Sequence, residues 1–266
     1  MITARRRGSG ERVLLAADGV RVLARHTPAP AARRNLAFVV AHGFTGSSSG
    51  RVTRGMARVL ARSGGVVAFD FRGHGGSGGL STVGDLEVLD LAAAAGWARL
   101  LGYRRIVPVG FSLGASVAVR YAALVAGTPD AVDAVVAVSS PSRWHYRGTP
   151  PMRLLHGGIE TAIGRRVLAA GFGTRVAARG WDPWPEPPDA LAGRLAPAPL
   201  LVVHGDADRY FPLEHAHWLV EAARGRAELW IEPGFGHAEA AATPELVQRI
   251  AAWVLDRVET AAPTAR

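Results

Sequence analysis

A serine held between two glycines is the clearest sign of chemistry in this chain. Ser112 lies in Gly110-Phe111-Ser112-Leu113-Gly114, after the apolar run 106–109 and before the helix-like pattern 113–124. A strand, a sharp turn and a helix in that order form a nucleophile elbow, which lifts the serine hydroxyl clear of a sheet. Side chains in place of the two glycines would collide with the neighbouring strand and helix. The pattern therefore predicts a nucleophilic Ser112, with the backbone N–H of Leu113 facing the same space.

A serine hydroxyl is a poor nucleophile at neutral pH, and it needs a base that a third group orients. Asp206 and Asp208 follow a predicted strand, and His237 lies farther on in the glycine-rich loop 233–239. Both loops leave the carboxyl ends of strands, where the sites of parallel sheets form. Asp206 is close to its strand and is expected to bond the loop backbone, whereas Asp208 is far enough out to reach the histidine. The predicted catalytic set is therefore Ser112, Asp208 and His237.

The negative charge that develops during attack on a carbonyl also needs hydrogen-bond donors. His42-Gly43-Phe44 follows the buried apolar run 36–41, and the N–H of Phe44 is expected to join that of Leu113 in an oxyanion hole. Gly43 would let the backbone turn close to the substrate. His42, at the end of the strand, suits a structural hydrogen bond to the loop better than the role of base.

These motifs together resemble those of the α/β-hydrolase fold family, in its branch of carboxylesterases and monoacylglycerol-lipase-like serine hydrolases. The resemblance covers nearly the whole chain outside residues 142–196. It rests on His42-Gly43-Phe44, Asp70-Phe71-Arg72-Gly73-His74-Gly75-Gly76-Ser77, Gly110-Phe111-Ser112-Leu113-Gly114, Gly205-Asp206-Ala207-Asp208-Arg209-Tyr210-Phe211-Pro212 and Gly236-His237.

The resemblance implies roles for further residues. Asp208 is the Asp of a Gly-x-x-Asp-x-x-x-Pro pattern, which is the position of the acid in such families, while Arg72 and His74 belong to a turn that is structural. Two residues depart from the family pattern. Phe111 stands where histidine is common, and Ala115 replaces a glycine.

Apolar runs that alternate with helical patterns must position these residues. Short, nearly continuous apolar strands between helices indicate the α/β class, with a mostly parallel sheet covered by helices on both faces. A hairpin of strands 13–15 and 20–24, split by Asp18-Gly19, precedes them. The other predicted strands are 36–41, 66–69, 106–109, 132–138, 199–203 and 227–231, and the predicted helices are 53–62, 85–101, 113–125, 213–223 and 244–258.

This alternation breaks in residues 142–196, which are rich in Arg, Gly, Pro and Trp. Their segment 183–188 holds four prolines and can be neither a regular helix nor a central strand. We therefore predict a small cap, 142–196, inserted between two parts of one hydrolase core, 1–141 and 197–266.

Composition excludes several other kinds of protein. The chain has 266 residues, 48% of them hydrophobic, and no cysteine, which excludes disulfides, thiolate metal sites and a cysteine nucleophile. Its formal net charge is +9, but the basic residues are all arginine and are scattered rather than arranged in a stripe. Nucleic-acid binding is therefore not expected.

No metal or cofactor is expected either. The glycine-rich run 73–79 lacks both the ending of a P-loop and the spacing of a dinucleotide-binding motif. The N-terminal residues 1–10 lack the apolar region of a signal peptide, and no segment reaches the ~18 apolar residues of a membrane span, so a cytoplasmic location is expected. The remaining histidines without a predicted role or ligand spacing are His26, His145, His156, His204, His215 and His217.

The predicted function is cofactor-independent hydrolysis of small-molecule carboxylic esters with apolar acyl groups. Phe44 and Phe111 are expected to line the acyl pocket from the core side together with Leu113, and Trp144 and Trp181 from the cap. One alternative is a thioesterase, or an acyl-transferring or cyclising enzyme of biosynthesis, whose cap arginines meet a phosphate-bearing carrier. A C–C bond hydrolase would use the same triad, and a non-catalytic ligand receptor could retain it.

Overall fold

One twisted sheet forms the centre of the molecule. The structure is a computed structural model that describes residues 6–7 and 10–260, and the predictions for the extreme N-terminus therefore lie largely outside the described residues. Within them, nine strands are ordered β1-β2-β3-β5-β4-β6-β7-β8-β9 across the sheet. The strands are β1 (Arg6–Arg7), β2 (Glu11–Leu15), β3 (Arg21–Thr27), β4 (Leu36–Ala41), β5 (Gly65–Phe69), β6 (Arg105–Phe111), β7 (Val135–Val138), β8 (Leu200–Gly205) and β9 (Ala227–Glu232).

The first three strands pair antiparallel, as does β3 with β5, and every pairing among the later strands is parallel. The predicted hairpin around Asp18 is confirmed. Strand β4 is buried at all six of its residues, because a central parallel strand is covered on both faces. In register, Ala41 pairs with Gly110 and Phe111 with Val138, so the carboxyl ends of β4, β6 and β7 lie at one edge of the sheet.

Helices cover both faces, as the sequence predicts. The α-helices are α1 (Arg51–Leu60), α2 (Glu87–Leu100), α3 (Leu113–Val125), α4 (Pro150–Glu160), α5 (Ala162–Phe172), α6 (Pro188–Leu191), α7 (Glu214–Ala222), α8 (Ala238–Ala241) and α9 (Pro244–Thr260). Apolar side chains of α2, α3 and α7 form one buried cluster with one face of the sheet, and those of α1 and α9 form a second cluster with the other face. No helix in the described part of the chain is long and apolar enough to cross a membrane.

Residues 142–196, here called the insert, connect β7 to β8. They contain α4, α5 and α6, and α6 begins at Pro188, since proline is tolerated in the first turn of a helix. Several contacts attach the insert to the core, and three of them lie at different points along it. Trp181 Nε1 donates to the carbonyl of Thr82 at 2.6 Å, Thr149 Oγ1 donates to the carbonyl of Tyr210 at 2.9 Å, and Val176 forms a parallel bridge with Ser81.

Most predicted elements match the structure to within one to three residues, and the differences fall at their ends. The strand predicted for 132–138 begins only at Val135, and β6 continues past the predicted Val109 to Phe111. The extension of β6 brings the nucleophile elbow directly onto the end of a strand.

Candidate active site

Ser112 occupies a strained turn between β6 and α3. Its backbone has φ 50° and ψ −117°, a left-handed conformation that is costly for a residue with a side chain. A Cβ added to Gly110 would lie 2.2 Å from the carbonyl oxygen of Gly114, and one added to Gly114 would lie 2.2 Å from that of Ala41. Both glycines are therefore required by the close approach of α3 to β6 and β4.

Three side chains from three loops form a continuous hydrogen-bonded chain. The Nε2 atom of His237 lies 2.9 Å from Oγ of Ser112, and its Nδ1 atom lies 2.8 Å from Oδ2 of Asp208. A carboxylate can only accept, so Nδ1 carries the proton and Nε2 is free to accept from the serine hydroxyl. This is the tautomer that a general base toward Ser112 requires.

Asp208 is held ionised by its surroundings. Its side chain has no exposed surface, and its Oδ1 atom accepts from the backbone N–H groups of Tyr210 at 2.8 Å and Phe211 at 3.1 Å. Burial alone would raise the pKa of Asp208, but the hydrogen bond from His237 and these two N–H groups outweigh it and lower the pKa below its usual value. Asp206 instead accepts from the backbone N–H of Gly234 at 2.6 Å, which is the loop contact expected from the sequence.

The turn after β4 is fixed by a buried histidine. Nδ1 of His42 donates to the carbonyl of Gly43 at 2.7 Å, and Nε2 accepts from the N–H of Phe71 at 3.1 Å. Burial, and next the neighbouring His74, lower the pKa of His42 to about 4, so the ring is neutral near pH 7. His42 therefore has the structural bonding that its place in the sequence suggested.

The same turn presents a backbone donor near the nucleophile. Gly46 N–H closes the turn on the Gly43 carbonyl at 2.9 Å, and Thr45 takes a positive φ of 67°. Among the described residues, the N–H groups of Phe44 and Leu113 have no hydrogen-bond partner. Backbone N–H groups left free beside a nucleophile are the donors that an oxyanion hole needs.

Sequence analysis missed two residues of the site. Oε1 of Glu239 accepts from the backbone N–H of Gly43 at 2.9 Å, and burial raises the pKa of Glu239. The ring of Tyr210 stacks on that of His237, with centroids 4.4 Å apart and 29° between the planes. Each lies two residues from a predicted catalytic residue, but nothing in the sequence distinguishes either from a surface side chain.

Comparisons with known proteins identify the fold. Residues 37–155 match the family model of the α/β hydrolase fold. An esterase from Pyrococcus furiosus is similar in structure with a TM-score of 0.71 at 23% sequence identity, covering 96% of this chain and 93% of that chain. The chain has the α/β-hydrolase fold. The predicted fold class is thereby confirmed.

Two further α/β-hydrolase structures are similar over most of their length. Est1E from Butyrivibrio proteoclasticus, solved with bound ferulic acid, has a TM-score of 0.63 at 19% identity and covers 93% of this chain and 99% of that chain. A serine hydrolase of Xanthomonas campestris, described as lacking a lid, has a TM-score of 0.62 at 19% identity, with coverage of 98% and 100%. These likenesses concern the fold.

Phe111, which was predicted to line the acyl pocket, instead lies in the core. Phe111 is 1% exposed and packs in the cluster under α1 and α9, because it shares a strand face with Val107 and Val109. Phe44 is partly exposed, and its ring meets His74 edge-on at 5.6 Å.

The two tryptophans predicted to line the pocket from the insert also contribute to its attachment. Trp144 is 9% exposed, packs with the α2 and α3 cluster, and donates from Nε1 to the carbonyl of Glu186 at 3.0 Å. Trp181 is partly exposed and its ring lies 6.2 Å from that of Trp144. Of the two, Trp181 presents more surface.

The turn around Arg72 is structural, as the resemblance implied. The buried guanidinium of Arg72 pairs with Asp90 at 2.8 Å and with Asp18 at 2.7 Å, and Nδ1 of His74 lies 2.9 Å from the Arg72 carbonyl. Asp70 accepts from the backbone N–H of Gly76 at 2.8 Å. These bonds join the loop after β5 to the hairpin and to α2.

Among the described residues, one group could present three metal ligands, which differs from the expectation that the histidines lack such geometry. His145, His156 and Glu160 of the insert bring ligand atoms within 4.8 Å of one another. Glu160 already pairs with Arg147 through its second oxygen and with Nδ1 of His156 at 3.0 Å. The group shares no residue with the hydrogen-bonded chain at Ser112, and the chemistry proposed below does not use it.

Proposed function

We propose that this protein is a cofactor-independent serine hydrolase that cleaves carboxylic esters of apolar acyl groups. The observation that carries the proposal is the chain of hydrogen bonds from Asp208 through His237 to Ser112, in the tautomer that makes Nε2 the acceptor. Each of the three side chains comes from a different loop, so neighbouring positions in the sequence do not account for this chain of hydrogen bonds. The matched family model and the esterases among the similar structures agree with it.

In the acylation half, Nε2 of His237 takes the proton of the Ser112 hydroxyl while Oγ attacks the ester carbonyl carbon. The carbonyl oxygen becomes an oxyanion, which the N–H groups of Phe44 and Leu113 stabilise. When the tetrahedral intermediate collapses, the bond to the alkoxy group breaks and His237 gives its proton to the departing alcohol. The acyl group remains on Ser112.

In the deacylation half, a water molecule gives a proton to Nε2 of His237 and its oxygen attacks the acyl carbon. The bond to Oγ then breaks, Ser112 regains its proton from His237, and the carboxylic acid leaves. Throughout, ionised Asp208 fixes the orientation of the imidazole and stabilises the imidazolium. Asp208 can do this because its lowered pKa keeps it charged at neutral pH.

The insert would act as the cap over this site. Thr149 at its start contacts Tyr210, whose ring stacks on His237, so one end of the insert reaches the catalytic base. Phe44 from the core and Trp181 from the insert would supply apolar surface to the acyl group, as small-molecule sites commonly do. The similar Est1E binds ferulic acid, whose aromatic ring is an example of a bulky acyl substituent.

Four of the five insert arginines that could meet a phosphate-bearing carrier have other partners. The five are Arg143, Arg147, Arg153, Arg165 and Arg166. Arg143 pairs with Asp189 at 3.0 Å and Arg147 pairs with Glu160. Arg153 donates to the carbonyls of Arg147 and Gly148 at 3.3 Å, and Arg165 to that of Glu160 at 2.9 Å. These contacts favour a free ester over a carrier-bound thioester.

Labelling and turnover together test the proposed function. An alkyl fluorophosphonate should modify one serine per chain, and the same preparation should turn over p-nitrophenyl butyrate, with heat-denatured protein as the control. Labelling without turnover would support a receptor on a hydrolase scaffold. Absence of both would overturn the proposal.

A further inference from the structure

The chain of proton transfers leaves one partly buried carboxyl group at the site unused. Glu239 follows His237 by two residues, and its Oε1 atom accepts from the backbone N–H of Gly43 at 2.9 Å, across 196 positions of sequence. Glu239 is partly buried, and this burial raises its pKa. A partly buried acid with a backbone partner in the turn that carries Phe44 calls for a role there.

The turn is shaped to receive this carboxyl group. A Cβ on Gly43 would lie 3.0 Å from Oε2 and 3.2 Å from Oε1 of Glu239, and also 3.4 Å from Cβ of Ser112. A Cβ on Gly46 would lie 3.0 Å from Oε1 of Glu239. The two glycines therefore leave room for the carboxyl group. The absence of a side chain at Gly43 thus serves the fit of Glu239 as well as the expected approach of substrate.

The backbone between His237 and Glu239 directs the two side chains to different partners. Ala238 takes a positive φ of 53°, and its N–H is held by Oγ of buried Ser139 at 3.0 Å. On one side of this residue, Nε2 of His237 meets Ser112. On the other, Glu239 meets Gly43, so a single strained position links the base to the turn of the oxyanion hole.

Two donors fix the carbonyl of the peptide between Gly43 and Phe44. The Gly43 carbonyl accepts from Nδ1 of His42 at 2.7 Å and from the N–H of Gly46 at 2.9 Å. Because a peptide group is planar and trans, fixing its carbonyl also fixes the direction of the Phe44 N–H. The bond from Gly43 N–H to Glu239 restrains the turn at the preceding peptide.

We propose that Glu239 is a positioning residue that holds the Phe44 N–H in the oxyanion hole by binding the backbone of Gly43. The inference rests on the proposed function. It requires an oxygen acceptor at the position of Oε1 and does not require a negative charge. Glutamine supplies that acceptor, aspartate withdraws it by one methylene, and alanine removes it.

The test compares E239Q, E239D and E239A with wild type in kcat and KM for p-nitrophenyl butyrate. Each is also titrated with an alkyl trifluoromethyl ketone, whose adduct with serine carries an oxyanion. We expect E239A to lose about 10–100-fold in kcat and in ketone affinity, with KM within about 3-fold. Complete loss of one oxyanion donor costs about 10²–10³-fold, and E239A loosens the Phe44 N–H without removing it. E239Q should stay within about 3-fold of wild type, and E239D should fall between the two. E245A, at an exposed glutamate of α9, is the matched control and should behave as wild type.

Each outcome supports or overturns the positioning role of Glu239. If E239A equals wild type, or if its ketone affinity is unchanged while kcat falls, Glu239 does not position the oxyanion hole. Should E239A fail to fold, the contrast of active E239Q with impaired E239D supports the inference, and the reverse ranking overturns it by assigning the role to the charge. A wild-type protein that neither hydrolyses the ester nor binds the ketone would instead count against the proposed function itself.

Discussion

Asp208 and His237 meet at 2.8 Å with the carboxyl group fully buried and the imidazole partly exposed. The carboxylate is therefore shielded from competing water, while the ring can still reach a substrate. Its second oxygen is occupied by two backbone N–H groups, so the acid cannot rotate away from the base. Asp208 therefore holds the imidazole of His237 in place beside Ser112.

Replacement of Asp208 by Asn should lower kcat by about 10³–10⁴-fold, because an amide no longer holds the imidazole in the required tautomer. Asp206→Asn is the matched control, since Asp206 lies two residues away and its side chain bonds only the backbone of Gly234 among the described residues. It should cost less than about 10-fold, through the loop alone. Steady-state kinetics on one ester checks both variants, and the opposite ranking would transfer the role of acid to Asp206.

Gly114→Ala should destabilise the fold by about 1–3 kcal/mol or more, because the added methyl group would meet the backbone of β4. Gly55→Ala, in the middle of α1 with open space around it, should instead stabilise by about 0.5–1 kcal/mol. Urea unfolding of both variants measures the difference. Equal stabilities would mean that α3 does not approach β4 as closely as described.

Acidification from pH 6.5 to 4 should reduce stability partly through His215. Burial, then the charges of His204 and Arg143, lower the pKa of His215 from 6.5 to about 4. The unfolded chain therefore binds this proton first, so the stabilisation is complete above about pH 6.5 and is lost as pH falls toward 4, by on the order of 3 kcal/mol.

The variant His215→Asn keeps an acceptor for the N–H of Ser142, which bonds Nδ1 at 3.1 Å, and removes the titration. The free energy of unfolding should then depend less steeply on pH in this window than in wild type. His217→Asn, at an exposed position of the same helix, should retain the wild-type slope. An unchanged slope in His215→Asn would show that this group does not contribute.

Lengthening the acyl chain should raise kcat/KM a few-fold per carbon until the pocket is full, because each buried methylene contributes at most about 0.8 kcal/mol. The p-nitrophenyl esters from acetyl to octanoyl provide the series. Trp181→Ala should flatten the rise, since its ring is the more exposed of the two insert tryptophans predicted to line the pocket. A flat or falling series in wild type would point to a small or polar substrate.

The sequence predicted those parts of the site that depend on local pattern. The elbow at Ser112 is encoded by five consecutive residues, and the loops of Asp208 and His237 follow recognisable strands. The alternation of strands and helices also fixed where those loops meet, since the carboxyl ends of parallel strands share one edge.

What the sequence did not predict depends on distant contacts or on strand faces. Glu239 reaches Gly43 across 196 positions of sequence, and no local pattern indicates that contact. The position of Phe111 beside the nucleophile suggests a pocket residue. Residues two apart on a strand share a face, however, and this decides where its side chain packs. Its neighbours Val107 and Val109 pack under α1 and α9, and Phe111 follows them there.

The most direct test of the account is the turnover of p-nitrophenyl butyrate by Ser112→Ala. The change removes one oxygen from the elbow, so the fold should persist, as circular dichroism and thermal unfolding can verify. The account predicts that kcat/KM falls by at least about 10³-fold, as expected for loss of the nucleophile of a triad. A folded Ser112→Ala that keeps more than about a tenth of wild-type turnover would contradict it.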